Sequence, residues 1–436
     1  MLSPDLLEER RPSLLSLALA PLVALCACSA TEDDAATQSA PAPAGVVWIT
    51  VGNLGVNSVE SPEDLLPEAV YSDRIVAPSP VEVQSLAALQ VGRLPTRAGT
   101  IGVTEAQPPE AAPTLATRLR RQGWGTAWVG QRSWGGRAGF TRGFDIVDVP
   151  SEKDRSAQET ADAGLEALEA LSGQTPFYLA AHLAVPFEEM ESDGAVVEAT
   201  LDAVRQLASA AAALDDVAVV VTGSNGFERG EHGGRGVGFT VFEEAIRTPL
   251  WVHWPQADLA MPASQRSLLD VTATVLAWAG LIVEDSELDG QPLFDAAAPR
   301  ILLSEVVVRE WAIARAVVGP RYKYVHAVRQ VPLEDRAVVA SGLAEIQAAM
   351  QAGTVETPEL FGRAVAEALY DLQGDAQEAS SLLDDPAAAD ALTALRSALR
   401  DYRRACDATA YPPGEVAERL TIDPSKMRDL ESLGYL

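Results

Sequence analysis

The sequence predicts an α/β fold: a mostly parallel sheet flanked by helices, followed by a smaller α+β domain built on antiparallel strands. Three observations lead there. Short, nearly continuous apolar runs at 46–51, 124–130, 177–183, 217–222 and 250–254 alternate with helical patterns at 114–122, 156–171, 197–214 and 268–279. Runs of that kind belong to strands covered on both faces, and an amphipathic helix after each is the crossover that parallel pairing needs. Beyond Asp289 the spacing tightens to strand-like runs at 301–308, 311–318 and 323–328, close enough to pair antiparallel. A chain of 436 residues that is 47% hydrophobic and 22% charged has material for one large core and a smaller one.

Taken from the N-terminus, Arg10 and Arg11 precede an apolar stretch over 14–25 that ends in Leu25-Cys26-Ala27-Cys28-Ser29. This reads as an export signal, too short for the ~20 residues of a spanning helix. The small residue before Cys28, with Leu25 three positions upstream, is similar to the bacterial lipoprotein processing box, in which the cysteine becomes the lipidated N-terminus. Cys26 fits less well, since Leu25 would precede the cut. A plain cleaved signal with incidental cysteines is the bland alternative. The resulting division is a signal at 1–27, a polar, Pro-containing tether at 28–45, the α/β domain at 46–295 and the α+β domain at 296–436. An Ala-rich helix near 337–352 and another near 388–404 complete the last part. Only Cys406 would remain beside the lipid-bearing residue, so no intrachain disulfide is expected.

Charge narrows the partners. With 33 Lys+Arg against 62 Asp+Glu the net charge is −29, and a polyanion such as nucleic acid would be repelled. Lysine occurs only at 153, 323 and 426, so no lysine-rich membrane-surface helix is available.

Ligand sites of open parallel sheets lie beyond the carboxyl ends of the strands, and there the motifs begin. SLAAL at 85–89 runs into GRLPTRAG at 92–99; GWGTAWVG at 123–130 precedes GFTRGFD at 139–145; Thr175-Pro176-Phe177 leads to His182. GEHG, EEAIRTPL and HWP follow within 217–255, then LLDVTATVLAWAG and LDGQPL within 268–293, LYDLQGD at 369–375 and Leu433-Gly434-Tyr435. In this order the motifs resemble the sulfatase family of the alkaline-phosphatase superfamily over about 390 residues.

The resemblance implies an oxygen nucleophile derived from Cys or Ser, held by a divalent cation, usually calcium. Carried over residue by residue, the nucleophile position falls on Glu82, the family's Pro on Gln84 and its activating Arg on Leu86. The strand-end metal acids fall on Gly52 and Asn53, and the Asp-His of the second metal loop on Ser224 and Asn225. The outer Lys-Trp-His positions are Gln131, Arg132 and Ser133, and a further histidine position is Phe187. A carboxylate at 82 cannot become formylglycine, and four metal positions without formal charge should seat calcium poorly. The expectation is a pseudoenzyme without a cofactor, anchored by lipid to a bacterial envelope membrane, with a protein or glycan as its ligand.

Other readings stay open at this level. Glu82 either pairs with Arg93 or faces solvent. His182 is a hydrogen-bonded core histidine or a remnant of the site; His232, with Glu228 and Glu231, is a remnant ligand set or a solvated loop. Ser79 or Ser85 as a replacement nucleophile would need an adjacent base. Trp124, Trp128 and Trp134 line a glycan groove or pack in the core. The acid-rich segments 188–193 and 371–385 read as solvated. The rivals to the pseudoenzyme are a divergent ester hydrolase recruiting Glu82, Asn53, Glu228, Glu231 and His232, and a carbohydrate-binding module.

Overall fold

The computed structural model describes residues 42–100, 102, 106–186, 194–232, 235–236, 240–295, 298–308, 311–327 and 366–411. The signal, the tether up to residue 41, Cys28, Phe187, the acidic segment 188–193 and the helix expected at 337–352 lie outside them, and the last tether position, Gly45, is the first residue of β1. All described residues belong to one compact unit within 40–436.

Strands β1 (Gly45–Gly52), β2 (Val70–Val76), β3 (Gly125–Gly130), β4 (Ile146–Asp148), β5 (Phe177–Ala184), β6 (Val217–Gly223), β9 (Arg247–His253) and β10 (Arg266–Ser267) form an eight-stranded sheet. Its order is β10-β2-β9-β6-β1-β5-β3-β4. β1 sits at the centre, parallel to both β5 and β6 along its whole length. β9 alone runs against its neighbours. Between β6 and β9 the described chain holds only the two-residue strands β7 (Glu228–Arg229) and β8 (Arg235–Gly236) and the one-turn helix α7 (Glu243–Ile246). Without a crossover helix the chain returns beside β6 in the opposite sense.

Both sheet faces are covered, as the apolar runs require. Val47, Ile49 and Val51 point toward α5 (Ala157–Ser172) and α6 (Gly194–Ala212). Val46 and Trp48 point to the other face, where α1 (Glu82–Val91), α3 (Leu115–Arg121) and α8 (Leu269–Trp278) pack. The short helices α2 (Pro95–Ala98) and α4 (Ala138–Thr141) complete this part. The start of α5 is set by a capping box, Ser156 accepting from the Glu159 backbone and Glu159 accepting from that of Ser156.

The second sheet is an antiparallel meander of β11 (Leu302–Val308), β12 (Trp311–Val318), β13 (Tyr322–Ala327) and β14 (Ala366–Asp371). Helix α9 (Ala389–Thr409) packs on β12 and β13. Two features differ from expectation. β14 forms where the sequence shows a polar motif, and Glu378, inside the segment read as solvated, is fully buried. Its carboxylate lies 2.9 Å from Lys323 Nζ, which donates 3.0 Å away to Glu243 on α7. Glu378 also accepts from the Glu243 backbone N–H at 2.7 Å. Burial pushes the Lys323 pKa down, but Glu378 and Glu243 outweigh it and hold it above its usual value. Two carboxylates around one buried ammonium depend on that ammonium.

Lys323→Ala should therefore destabilise the protein by about 3–5 kcal/mol in urea unfolding, because two carboxylates are left buried. Combining it with Glu243→Gln and Glu378→Gln should recover most of the loss; an unchanged midpoint in the single variant would contradict this arrangement.

Candidate functional site

The carboxyl ends of β1, β3, β5 and β6 converge at the centre of the sheet, and α1 starts over them. Glu82 is the first residue of α1 and is 8% exposed. Its carboxylate accepts from Arg132 Nε at 3.2 Å and Nη2 at 3.4 Å, and meets His182 Nε2 at 2.9 Å. Neither prior reading of Glu82 holds: it does not face solvent, and its cation is Arg132. Arg93 instead donates to the backbone carbonyls of Glu287, Thr409 and Ser286. Burial raises the carboxyl pKa, but the Arg132 charge and the His182 hydrogen bond more than reverse this and hold it down to about 2. Glu82 is thus a buried anion balanced in place.

Gly52 explains how the carboxylate fits. A Cβ at that position would lie 2.6 Å from Glu82 Cδ and 2.8 Å from its Oε1. The space in which a strand-end acid would stand holds the Glu82 side chain. Beside it, Asn53 at φ +61° donates through Nδ2 to the Val185 carbonyl at 3.0 Å. Its backbone N–H donates to Asn225 Oδ1 at 3.1 Å, and Asn225 Nδ2 donates back to Asn53 Oδ1 at 3.1 Å. Ser224 Oγ adds a second donor to Asn225 Oδ1 at 2.9 Å. Both amide oxygens already accept protein hydrogen bonds, and the nearest carboxylate is neutralised by Arg132 and hydrogen-bonded to His182. Calcium needs several charged oxygens, so this donor set does not fit the cation that the resemblance implies. Among the described residues no three His, Cys, Asp or Glu side chains group to hold a metal.

The other positions are structural. Gln84 accepts from Ser79 Oγ at 3.1 Å and from the Val307 N–H at 3.2 Å, and donates to the Gly102 carbonyl at 2.7 Å, tying the loop to β11. Leu86 is buried in the core. Gln131 exchanges hydrogen bonds with the Ala184 backbone at 2.9 and 3.2 Å and locks β3 to β5. The Ser133 N–H donates to Asp154 at 2.8 Å. Ser85 Oγ donates to the Ser224 carbonyl at 2.5 Å, so neither it nor Ser79 bonds to a base.

The histidines go to two places. His182 is 1% exposed and joins Glu82 to Thr50, whose Oγ1 lies 2.9 Å from Nδ1. Thr50, His182 and Glu82 follow the order of a hydroxyl–imidazole–carboxylate triad. They lack its access: all three are buried, and the cavity that Thr50 lines has about 20 Å³, room for one water. His232 is not merely solvated. Its Nδ1 meets Glu244 at 2.6 Å and its ring stacks on Phe242 at 3.7 Å between centroids. Burial lowers its pKa, but Glu244 more than offsets this and raises it. Glu228 is buried and accepts from Thr240 at 2.6 Å, while exposed Glu231 accepts from the Arg229 N–H at 2.6 Å. Each of the four residual candidates has its own partners. Arg132 and Thr50 escaped sequence reasoning, Arg132 because its position is a tryptophan in the resembling motif.

With this geometry, solved structures supply the parallel. A 2-O GAG sulfatase aligns at 16% identity over 84% of this chain and 93% of its own, with a TM-score of 0.62. The chain has the sulfatase fold. A structure in complex with its substrate D-glucosamine-2-N,6-O-disulfate aligns at 12% identity over 86% of this chain and 100% of its own, TM-score 0.62. The phosphonate monoester hydrolase of Agrobacterium radiobacter aligns at 15% over 84% and 96%, TM-score 0.61. No family model matches the sequence, and no curated protein matches it significantly. Within the sulfatase fold the balanced Glu82 occupies the first turn of the helix after β2.

Two expectations follow. Gly52→Asp should destabilise strongly in the native background and much less with Glu82→Ala, a coupling of at least about 1 kcal/mol in a double-mutant cycle; simple additivity would contradict the shared space. Because the Glu82 pKa is depressed when folded, its stabilisation is complete above about 4.5 and is lost as pH falls toward about 2. The native protein should lose about 3 kcal/mol more than Glu82→Gln across that window in urea unfolding.

Proposed function

We propose that this chain is a non-catalytic member of the sulfatase fold, with a binding or scaffolding role. The observation that carries the reading is Glu82: where the fold's chemistry needs a metal-held oxygen nucleophile, a carboxylate stands, neutralised by Arg132 and hydrogen-bonded to His182. A carboxylate so placed repels a sulfate or phosphate ester, and its neighbours are committed to holding it. Asn53 and Asn225 satisfy each other rather than a cation.

The chain is further proposed to be exported and held by lipid on Cys28 to a bacterial envelope membrane. The support is the sequence around Cys28; among the described residues no helix is long and apolar enough to cross a membrane. The ligand class is proposed to be a glycan, since one similar structure holds a sulfated glucosamine. The rival, a divergent sulfuric or phosphoric ester hydrolase, draws on the Thr50–His182–Glu82 order, but nothing larger than water reaches Thr50 through its cavity.

Purified protein should leave aryl sulfate and aryl phosphate esters intact with or without calcium, and millimolar calcium should not move Tm, because a bound cation would raise it by mass action. Metal-dependent turnover abolished by Glu82→Gln or Thr50→Val would replace this reading with the hydrolase.

A further inference from the structure

The small cavity beside His182 has a chemistry of its own. Side chains two residues apart on a strand share a face, so Trp48 and Thr50 of β1 stand beside Tyr178, Ala180 and His182 of β5, with Trp48 opposite Ala180 and Thr50 opposite His182. Leu86, Leu89 and Gln90 of α1, at helical i, i+3 and i+4 spacing, close over them. Ala180 sits in register between Trp48 and Trp128 of β3. Two indoles thus flank a methyl group, and a cavity of about 20 Å³ remains among them. We infer that this cavity is a binding site for one water molecule, which carries the Glu82–His182–Thr50 series inward between β1 and α1.

Three observations carry it. The first is a set of orphaned polar groups. Trp48 Nε1 and both ends of the Gln90 side-chain amide have no hydrogen-bond partner among the described residues, although Trp48 is 3% and Gln90 8% exposed. Buried donors and acceptors are nearly always bonded, to protein or to ordered water. Gln84 and Ser85 of the same helix follow that rule, so Gln90 is the exception on α1.

The second is size. A water molecule needs about 10–15 Å³ of such space, and the 20 Å³ here meets that while excluding a larger ligand. The third is the remaining capacity of Thr50. Its Oγ1 lies 3.2 Å from the Ala181 carbonyl, to which it can donate, and 2.9 Å from His182 Nδ1. A hydroxyl has one hydrogen and two lone pairs, so with either tautomer of His182 at least one lone pair is left for a donor in the cavity. A water there accepts from the Trp48 indole, bonds the Gln90 amide and donates to Thr50, about three bonds, which is usual for a buried water. The inference is independent of the non-catalytic reading, since it concerns a water sealed in the core.

The test reads the native chain first. A high-resolution crystal structure should show one ordered oxygen about 2.7–3.2 Å from both Trp48 Nε1 and the Gln90 amide. In solution, isotope-labelled protein should show a cross-peak between water and the Trp48 indole hydrogen, assigned by its loss in Trp48→Phe. Gln90→Met keeps the side-chain length but offers no amide, and it should abolish both the ordered oxygen and the cross-peak. It should not raise Tm, because displacing the water leaves the Trp48 donor unpaired. No density between Trp48 and Gln90, a Gln90 amide bonded directly to a protein group, or a cross-peak unchanged in Gln90→Met would each overturn the inference. So would a higher Tm in Gln90→Met, the response expected when the amide removed was dry. The native density and cross-peak decide the matter even if a variant fails to fold.

Discussion

A buried carboxylate at the start of α1 governs the centre of this molecule. Glu82 stands at the carboxyl ends of the central strands, and the Arg132 that neutralises it and the His182 that hydrogen-bonds it come from the turn after β3 and from β5, respectively. An uncompensated anion there would be expelled or protonated; with two donors it is ionised and fixed. The glycine at 52 is the steric counterpart, since any side chain at that strand end would overlap the carboxylate. Position 82 and position 52 therefore constrain each other, and neither alone could return to an acid or a nucleophile without displacing its partner.

The metal loops show the same logic in neutral form. Two asparagines from the ends of β1 and β6 exchange two hydrogen bonds across the strand pair, with Ser224 supplying a further donor. A calcium site needs oxygens that are free and charged; a reciprocal amide pair offers neither. What it offers is cohesion between the two strands that flank the site. Gln131 does likewise between β3 and β5, and Gln84 between the α1 loop and β11. Side-chain amides thus bridge three junctions around the centre, each at a position where the resembling motifs carry a residue of different chemistry.

Much of the fold was legible because both-face burial leaves an unmistakable trace. The runs that became β1, β3, β5 and β6 are nearly continuously apolar and buried on every residue, and the helices between them keep a 3.6-residue period. β2 escaped, since Ser72, Asp73 and Arg74 interrupt its middle where the strand is irregular and half-exposed. β9 was visible as a strand but not as the reversed one, because direction depends on what connects two strands rather than on the strand itself. At the site, the loss of chemistry could be read position by position, whereas its replacement could not. Arg132 reaches Glu82 across 50 positions of sequence, and Lys323 finds Glu243 across 80. Pairings of that range are set by tertiary geometry, and a charged residue in a polar stretch gives no sign that it will be buried.

The closed centre and the surface cleft beside it, lined by Ser133, Trp134, Val147 and Val149, are one construction. Trp134 touches His182 on one side and lines the cleft on the other, while Arg132 balances Glu82 and, through Asp154, holds the backbone of Ser133. The ion pair that fills the sulfatase-fold centre therefore also sets the turn that forms the cleft wall. Truncating Arg132 would leave two carboxylates without their cation and release the turn at the same time, so the rigidity of the cleft is inseparable from the occupation of the centre by Glu82.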